Sequence, residues 1–189
     1  TVNSTGPGSI RGNLQILNSD VDPAQNAGAR YFLEAQYVSN DDAAWGNLHN
    51  NASWREIGFN SISSAYKVDY DGDGDNNGID ETYEGVPAIR VWAEIDPSVR
   101  ITEVYVPNEG KIIIGAKVTD NGNGTHTYEY AVHNLNSHRS IRSLSIPTGD
   151  AVISSVGFKD IPYNSGEIYD GTDWSNAVVP GSVSWETVT

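Results

Sequence analysis

Apolar and polar residues alternate with a period of two in several separate stretches of the chain, the pattern of strands that bury one face. The clearest lies between Lys111 and Leu135. Ile112, Ile114, Ala116 and Val118 alternate with Lys111, Gly115, Lys117 and Thr119, while Tyr128, Tyr130 and Val132 alternate with Thr127, Glu129 and His133. Between the two runs stands Asp120-Asn121-Gly122-Asn123-Gly124, whose residues tolerate positive φ, so the pattern predicts a β-hairpin.

Comparable runs recur at Ile10 to Leu17, Tyr31 to Val38, Ser53 to Phe59, Ala88 to Ile95, Arg100 to Val106, Ser140 to Ile146, Val152 to Phe158 and Val183 to Thr187. Gly, Pro, Asn and Asp clusters separate them, which is the spacing of a sandwich or barrel. The expectation is an all-β chain forming a single antiparallel β-sandwich over residues 1–189, with about nine to eleven strands. Asp41-Asp42-Ala43-Ala44-Trp45 is the best helical candidate, a single turn. Residues Tyr66 to Gly85 break the pattern and read as an inserted loop, and a long loop in a compact domain usually carries function.

Within that insertion the chain reads Asp69-Tyr70-Asp71-Gly72-Asp73-Gly74-Asp75-Asn76-Asn77-Gly78-Ile79-Asp80. Calcium takes six to eight oxygen ligands, and a twelve-residue loop supplies them from positions one, three, five, seven, nine and twelve, with glycine at six for the sharp turn. Asp69, Asp71, Asp73, Asp75 through its carbonyl, Asn77 and Asp80 fill those positions, and Gly74 stands at six. The segment resembles the calcium loop of EF-hand and dockerin modules, with the dockerin-like Asp at the end. It departs from them in Asn76 at position eight and in lacking evident flanking helices, which implies an isolated loop grafted onto a β scaffold. Carboxylates so crowded repel one another unless a hard cation neutralises them, and magnesium, which keeps its waters, is the poorer fit. Asn18, Asp20 and Asp22 form a weaker acidic set that reads more readily as an Asx-rich turn, and Asp170 with Asp173 is weaker still.

Composition narrows the partners. With 25 acidic against 11 basic side chains the net charge is −14, which repels phosphate backbones and anionic headgroups and argues against nucleic acid. Cysteine is absent, so thiolate zinc sites and thiol nucleophiles are excluded. No stretch approaches the roughly 20 apolar residues of a membrane span. The absence of methionine, with few Lys and many Asn, Gly, Ser, Thr and Tyr, leads us to expect a processed, secreted or cell-surface chain. Its glycosylation acceptor patterns, at Asn3, Asn51 and Asn123, are of the kind chance supplies in an Asn-rich sequence.

Longer phrases add a second resemblance. Asp20-Val21-Asp22-Pro23 with Ala27-Gly28-Ala29, Asn50-Asn51-Ala52-Ser53-Trp54-Arg55, Tyr128-Glu129-Tyr130-Ala131-Val132-His133-Asn134-Leu135-Asn136-Ser137 and Tyr169-Asp170-Gly171-Thr172-Asp173-Trp174 are similar to a family of secreted bacterial proteins of unassigned function. In that family a comparable stretch forms the C-terminal portion. The resemblance implies a longer precursor and a calcium loop peculiar to this member, and it brings no reaction, substrate or catalytic residue.

Catalytic motifs are missing. The imidazoles are His49, His126, His133 and His138, and His126 and His133, seven apart on one expected strand, face opposite sides. There is no Gly-x-Ser-x-Gly elbow and no His-Glu-x-x-His stretch. Glu34, Glu94 and Glu129 fall in expected strands and read as outward-facing and solvated. The 5 Trp and 10 Tyr can serve as core or as a stacking platform for sugars. The expected function is therefore non-enzymatic: a secreted, calcium-binding structural or adhesive β-domain, a subunit of an extracellular assembly or fibre that self-associates or contacts matrix or glycan. The alternative is a carbohydrate-binding module using exposed Trp and Tyr.

Overall fold

The computed structural model of the chain describes residues 16–37, 39, 41, 44–62, 65–69, 81–160 and 171–187. These are mostly β, in three antiparallel sheets of three strands each. The chain divides into two compact units, one of Asn18–Ser140 and the other of Ile141–Thr189 with Thr1–Leu17.

In the larger unit the first sheet runs in the order β1 (Tyr31–Gln36), β2 (Ala52–Ile62), β3 (Ala65–Asp69). β1 pairs with the first half of β2, Tyr31 opposite Ile57 through Gln36 opposite Ala52, and β3 pairs with the second half, Gly58 opposite Asp69 through Ile62 opposite Ala65. Trp54 centres the packing on this sheet: it is 5% exposed, with Phe32 edge-on at 5.6 Å and Tyr83 stacked at 4.2 Å.

The second sheet holds the expected hairpin. β4 (Arg100–Val106), β5 (Gly110–Asp120) and β6 (His126–Asn134) follow in sequence with β5 central, and Ile112 to Asp120 pair with Asn134 to His126. The connecting loop satisfies itself: Asp120 Oδ1 accepts from Gly122 N–H, and Asn123 Oδ1 accepts from both the backbone N–H and the hydroxyl of Thr125. Ile113, on the central strand β5, is fully buried.

Ala88 to Ile95 is not the strand that its alternation implied. Ala88–Arg90 is a 3-10 turn and Val91–Ile95 an α-helical turn. Pro87 supplies the extended entry residue, and Ala88, Val91, Trp92 and Ile95 recur at helical spacing, a period that competes with alternation in so short a run. The Glu34 carboxylate accepts the Ala88 N–H at 2.6 Å, placing an anion at the start of the turn.

The smaller unit contains β7 (Ser143–Gly149), β8 (Ser175–Val179) and β9 (Gly181–Glu186), in the order β7-β9-β8. Val183 on the central strand is buried, and the Trp185 indole donates to the Gly157 carbonyl at 2.9 Å. Val152 to Phe158, expected as a strand, is irregular, and Ser155 at φ 55° breaks its extended run. Of the expected strand Ile10 to Leu17, Ile16 and Leu17 lie outside any strand, and the rest lies outside the described residues. Among the described residues no helix is long and apolar enough to cross a membrane.

Candidate metal centre

Of the six oxygen-bearing residues singled out by spacing, Asp69 lies among the described residues; Asp71, Asp73, Asp75, Asn77 and Asp80 lie outside them. Asp69 is the last residue of β3, a strand concealed within the polar segment that reads as loop from Tyr66 onward. The backbone ladder of β3 to β2, with Asp69 opposite Gly58, holds it there.

The environment of Asp69 is unusual for an aspartate. It is 2% exposed, although Asp is almost never fully buried without a partner. Oδ2 accepts a hydrogen bond from Asn60 Nδ2 at 3.0 Å, and Oδ1 has no hydrogen-bond partner. Asn60 stands two residues along β2 from Gly58, the register partner of Asp69, so the two side chains meet on the diagonal of one sheet face. A buried carboxylate with a bare oxygen is costly unless a cation or a proton completes it.

The acidic segment is also pinned at its far end. Tyr83 forms an antiparallel bridge to Trp54, with Trp54 N–H donating to the Tyr83 carbonyl at 3.1 Å and Tyr83 N–H to the Trp54 carbonyl at 2.8 Å. The chain leaves β2 opposite Gly58 and returns to it opposite Trp54, an offset of about 13 Å along the strand. Both flanks of the segment, Asp69 and Tyr83, are thus paired with the one strand β2.

The second acidic set behaves as a turn. Asn18–Val21 is one helical turn, and beyond it Asp22 accepts from Ala24 N–H at 2.9 Å and from Gln25 Nε2 at 2.8 Å. The Gln25 amide and the Ala24 N–H, assisted by the Tyr66 hydroxyl, hold the Asp22 carboxyl below its ordinary range. Its oxygens are occupied by donors from its own turn. Asp173 Oδ1 accepts from Asp160 N–H at 3.1 Å, and Asp170 lies outside the described residues. Among the described residues no group of three His, Cys, Asp or Glu side chains is placed to hold a metal.

The residues considered for catalysis are dispersed. His126 faces Asp120 in the register and His133 faces Ile113, on opposite faces of β6. His49 Nδ1 lies 3.1 Å from the Asn136 amide. Glu94 is on the helical turn, not in a strand. Glu34, expected to be solvated, instead joins three elements: it accepts from Ala88 N–H, and its Oε1 lies 3.4 Å from His133 Nε2. That role belongs to packing, and alternation had no means to show it.

The tryptophans divide between core and surface. Trp54 is buried, while Trp92, Trp174 and Trp185 are partly covered, Trp174 stacking on Phe158 at 5.0 Å. Trp45 is 85% exposed and Tyr37 81%. Comparison with models of protein families, with curated proteins and with solved structures finds no match for the chain in any of the three.

Proposed function

We propose that this chain is a secreted or cell-surface, calcium-binding structural or adhesive β-domain, of the single antiparallel sandwich class, and that Asp69, Asp71, Asp73, Asp75, Asn77 and Asp80 hold the ion. The observation that carries the reading is Asp69: the residue at position one of the calcium-type spacing is buried with Oδ1 bare. A hard divalent ion satisfies that oxygen and relieves the repulsion among the neighbouring carboxylates. It performs no chemistry of its own here; it converts an acidic, self-repelling segment into a compact turn anchored at both ends to β2.

The role is structural for the same reason. An ion that binds the folded chain alone adds stability by mass action, about 2.7 kcal/mol at a hundredfold excess over its dissociation constant. Extracellular fluid, where calcium is abundant, is the setting that makes such a site useful, and self-association or contact with matrix or glycan is the expected use of the domain. A sugar-binding platform has weaker support: Trp45 and Tyr37 are largely open to solvent, but the other four tryptophans are buried or partly covered. Thermal unfolding in calcium and in chelator tests the proposal. The midpoint rises by about 5–10 °C in saturating calcium for a chain of this size; coincident transitions would contradict it.

A further inference from the structure

The tip of the β5–β6 hairpin carries two Asn-Gly pairs in succession, Asn121-Gly122 and Asn123-Gly124. An asparagine followed by glycine can modify itself. The glycine backbone nitrogen attacks the side-chain carbonyl carbon and loses its proton, the side-chain nitrogen leaves as ammonia, and water opens the resulting succinimide to aspartate or isoaspartate. Glycine favours the attack because it has no side chain to shield its nitrogen. The rate then depends on whether that nitrogen is free, whether the carbonyl oxygen is stabilised as it gains charge, and whether the departing amide is held.

The two pairs differ in these respects. At the first, the Gly122 N–H is engaged by Asp120 Oδ1 at 2.8 Å, and the departing amide is held, Asn121 Nδ2 donating to Thr125 Oγ1 at 2.9 Å. Asn121 Oδ1 receives one long hydrogen bond, from Thr127 Oγ1 at 3.2 Å. At the second, neither the Gly124 N–H nor Asn123 Nδ2 has a hydrogen-bond partner among the described residues. Asn123 Oδ1 instead receives two donors, Thr125 N–H at 3.1 Å and Thr125 Oγ1 at 2.6 Å, the arrangement that stabilises a developing oxyanion. Asn123 is exposed, and a β-carbon at Gly124, where φ is +81°, would meet nothing within 4 Å, so water reaches the site.

We infer that Asn123 is a self-modification site, converted to aspartate or isoaspartate with Thr125 as the oxyanion donor, and that the fold protects its neighbour Asn121. The chain is its own substrate and water the co-reactant. Either product places a new carboxylate at the hairpin tip near Asp120, on a chain whose net charge is already −14. Isoaspartate also lengthens the backbone by one carbon within the turn.

The test incubates the full chain at neutral pH, folded and unfolded in urea, and follows each asparagine by peptide mass spectrometry. In the folded chain Asn123 should convert while Asn121 stays largely intact; in urea the two should convert at similar rates. T125V, which keeps the N–H and removes the hydroxyl, should slow Asn123 about fivefold, the worth of one ordinary hydrogen bond, and T125S should restore the rate. Equal conversion of Asn121 and Asn123 in the folded chain, or an Asn123 that stays intact when folded and converts only in urea, would overturn the inference. An unchanged rate in T125V would overturn the part given to the Thr125 hydroxyl.

Discussion

The indole of Trp92 lies directly against Gly115 on the central strand β5: a β-carbon at position 115 would sit 2.8 Å from Cε3 and 2.9 Å from Cζ3 of the ring. These are separations that nonbonded carbons do not tolerate. G115A therefore forces the ring, or the helical turn that carries it, off the sheet. The expected cost is about 1–3 kcal/mol, the range for overpacking a filled site, read as a lower urea midpoint. In a W92A background the same substitution should cost much less, and equal costs in both backgrounds would show that the ring is not the obstacle.

That contact also shows where sequence stops informing structure. The hairpin of β5 and β6 was legible because alternation and a Gly-Asn turn agree over more than twenty residues. Trp92 was not, because its segment is short enough to fit a period of two or of 3.6, and tertiary anchoring at Glu34 and Gly115 decides between them. β3 was hidden for a different reason. Tyr66, Lys67 and Asp69 look polar, yet a strand needs only a partner ladder, and β2 extends far enough to provide one. β8, Ser175–Val179, was missed likewise. For the metal site, spacing gave the donor types. It could not give the hydrogen bond from Asn60, which precedes Asp69 by nine residues and meets it only through hairpin register.

Glu103 on β4 joins two cations. Its Oε2 lies 3.2 Å from Lys111 Nζ and accepts the Tyr105 hydroxyl at 2.8 Å, and its Oε1 pairs with Arg90. Burial pushes the carboxyl up, but the Tyr105 hydrogen bond, Lys111 and Arg90 together outweigh it and hold the group below its ordinary range. Lys111 is itself buried. E103Q leaves that ammonium without its anion and should cost roughly 1–3 kcal/mol, less than the about 3–5 kcal/mol of a fully enclosed pair because both groups keep some contact with water. Equilibrium unfolding in denaturant measures it.

Asp96 follows the helical turn and accepts from Ser98 Oγ at 2.7 Å and Ser98 N–H at 3.0 Å, with Lys117 Nζ at 2.9 Å. The Ser98 hydroxyl first, then Lys117 and the Ser98 N–H, lower its carboxyl from an ordinary 3.8 to about 2. A group depressed in the folded state contributes stability above its unfolded pKa and loses it as pH falls through the folded value. The stability difference between wild type and D96N should accordingly be constant above about pH 5, shrink as pH falls, and level off only below about pH 2. A difference that does not vary with pH would show that the charge on Asp96 is immaterial.

Tyr83 covers Trp54 with its ring planes 7° from parallel and closes the far end of the acidic segment. Y83A removes the stack, worth about 0.5–1.5 kcal/mol beyond the area it buries, and opens a buried indole to solvent. The expected readout is a red-shifted tryptophan emission together with a lower urea midpoint, and Y83F should restore both because the stack uses the ring and not the hydroxyl.

Calcium uptake by the chelator-stripped chain, followed by titration calorimetry alongside D69N, bears most directly on the account. One saturable calcium site per chain is predicted, with magnesium much weaker and with D69N binding poorly while remaining folded. A folded wild-type chain that takes up no calcium at about 1 mM, the weak end of extracellular sites, would contradict it.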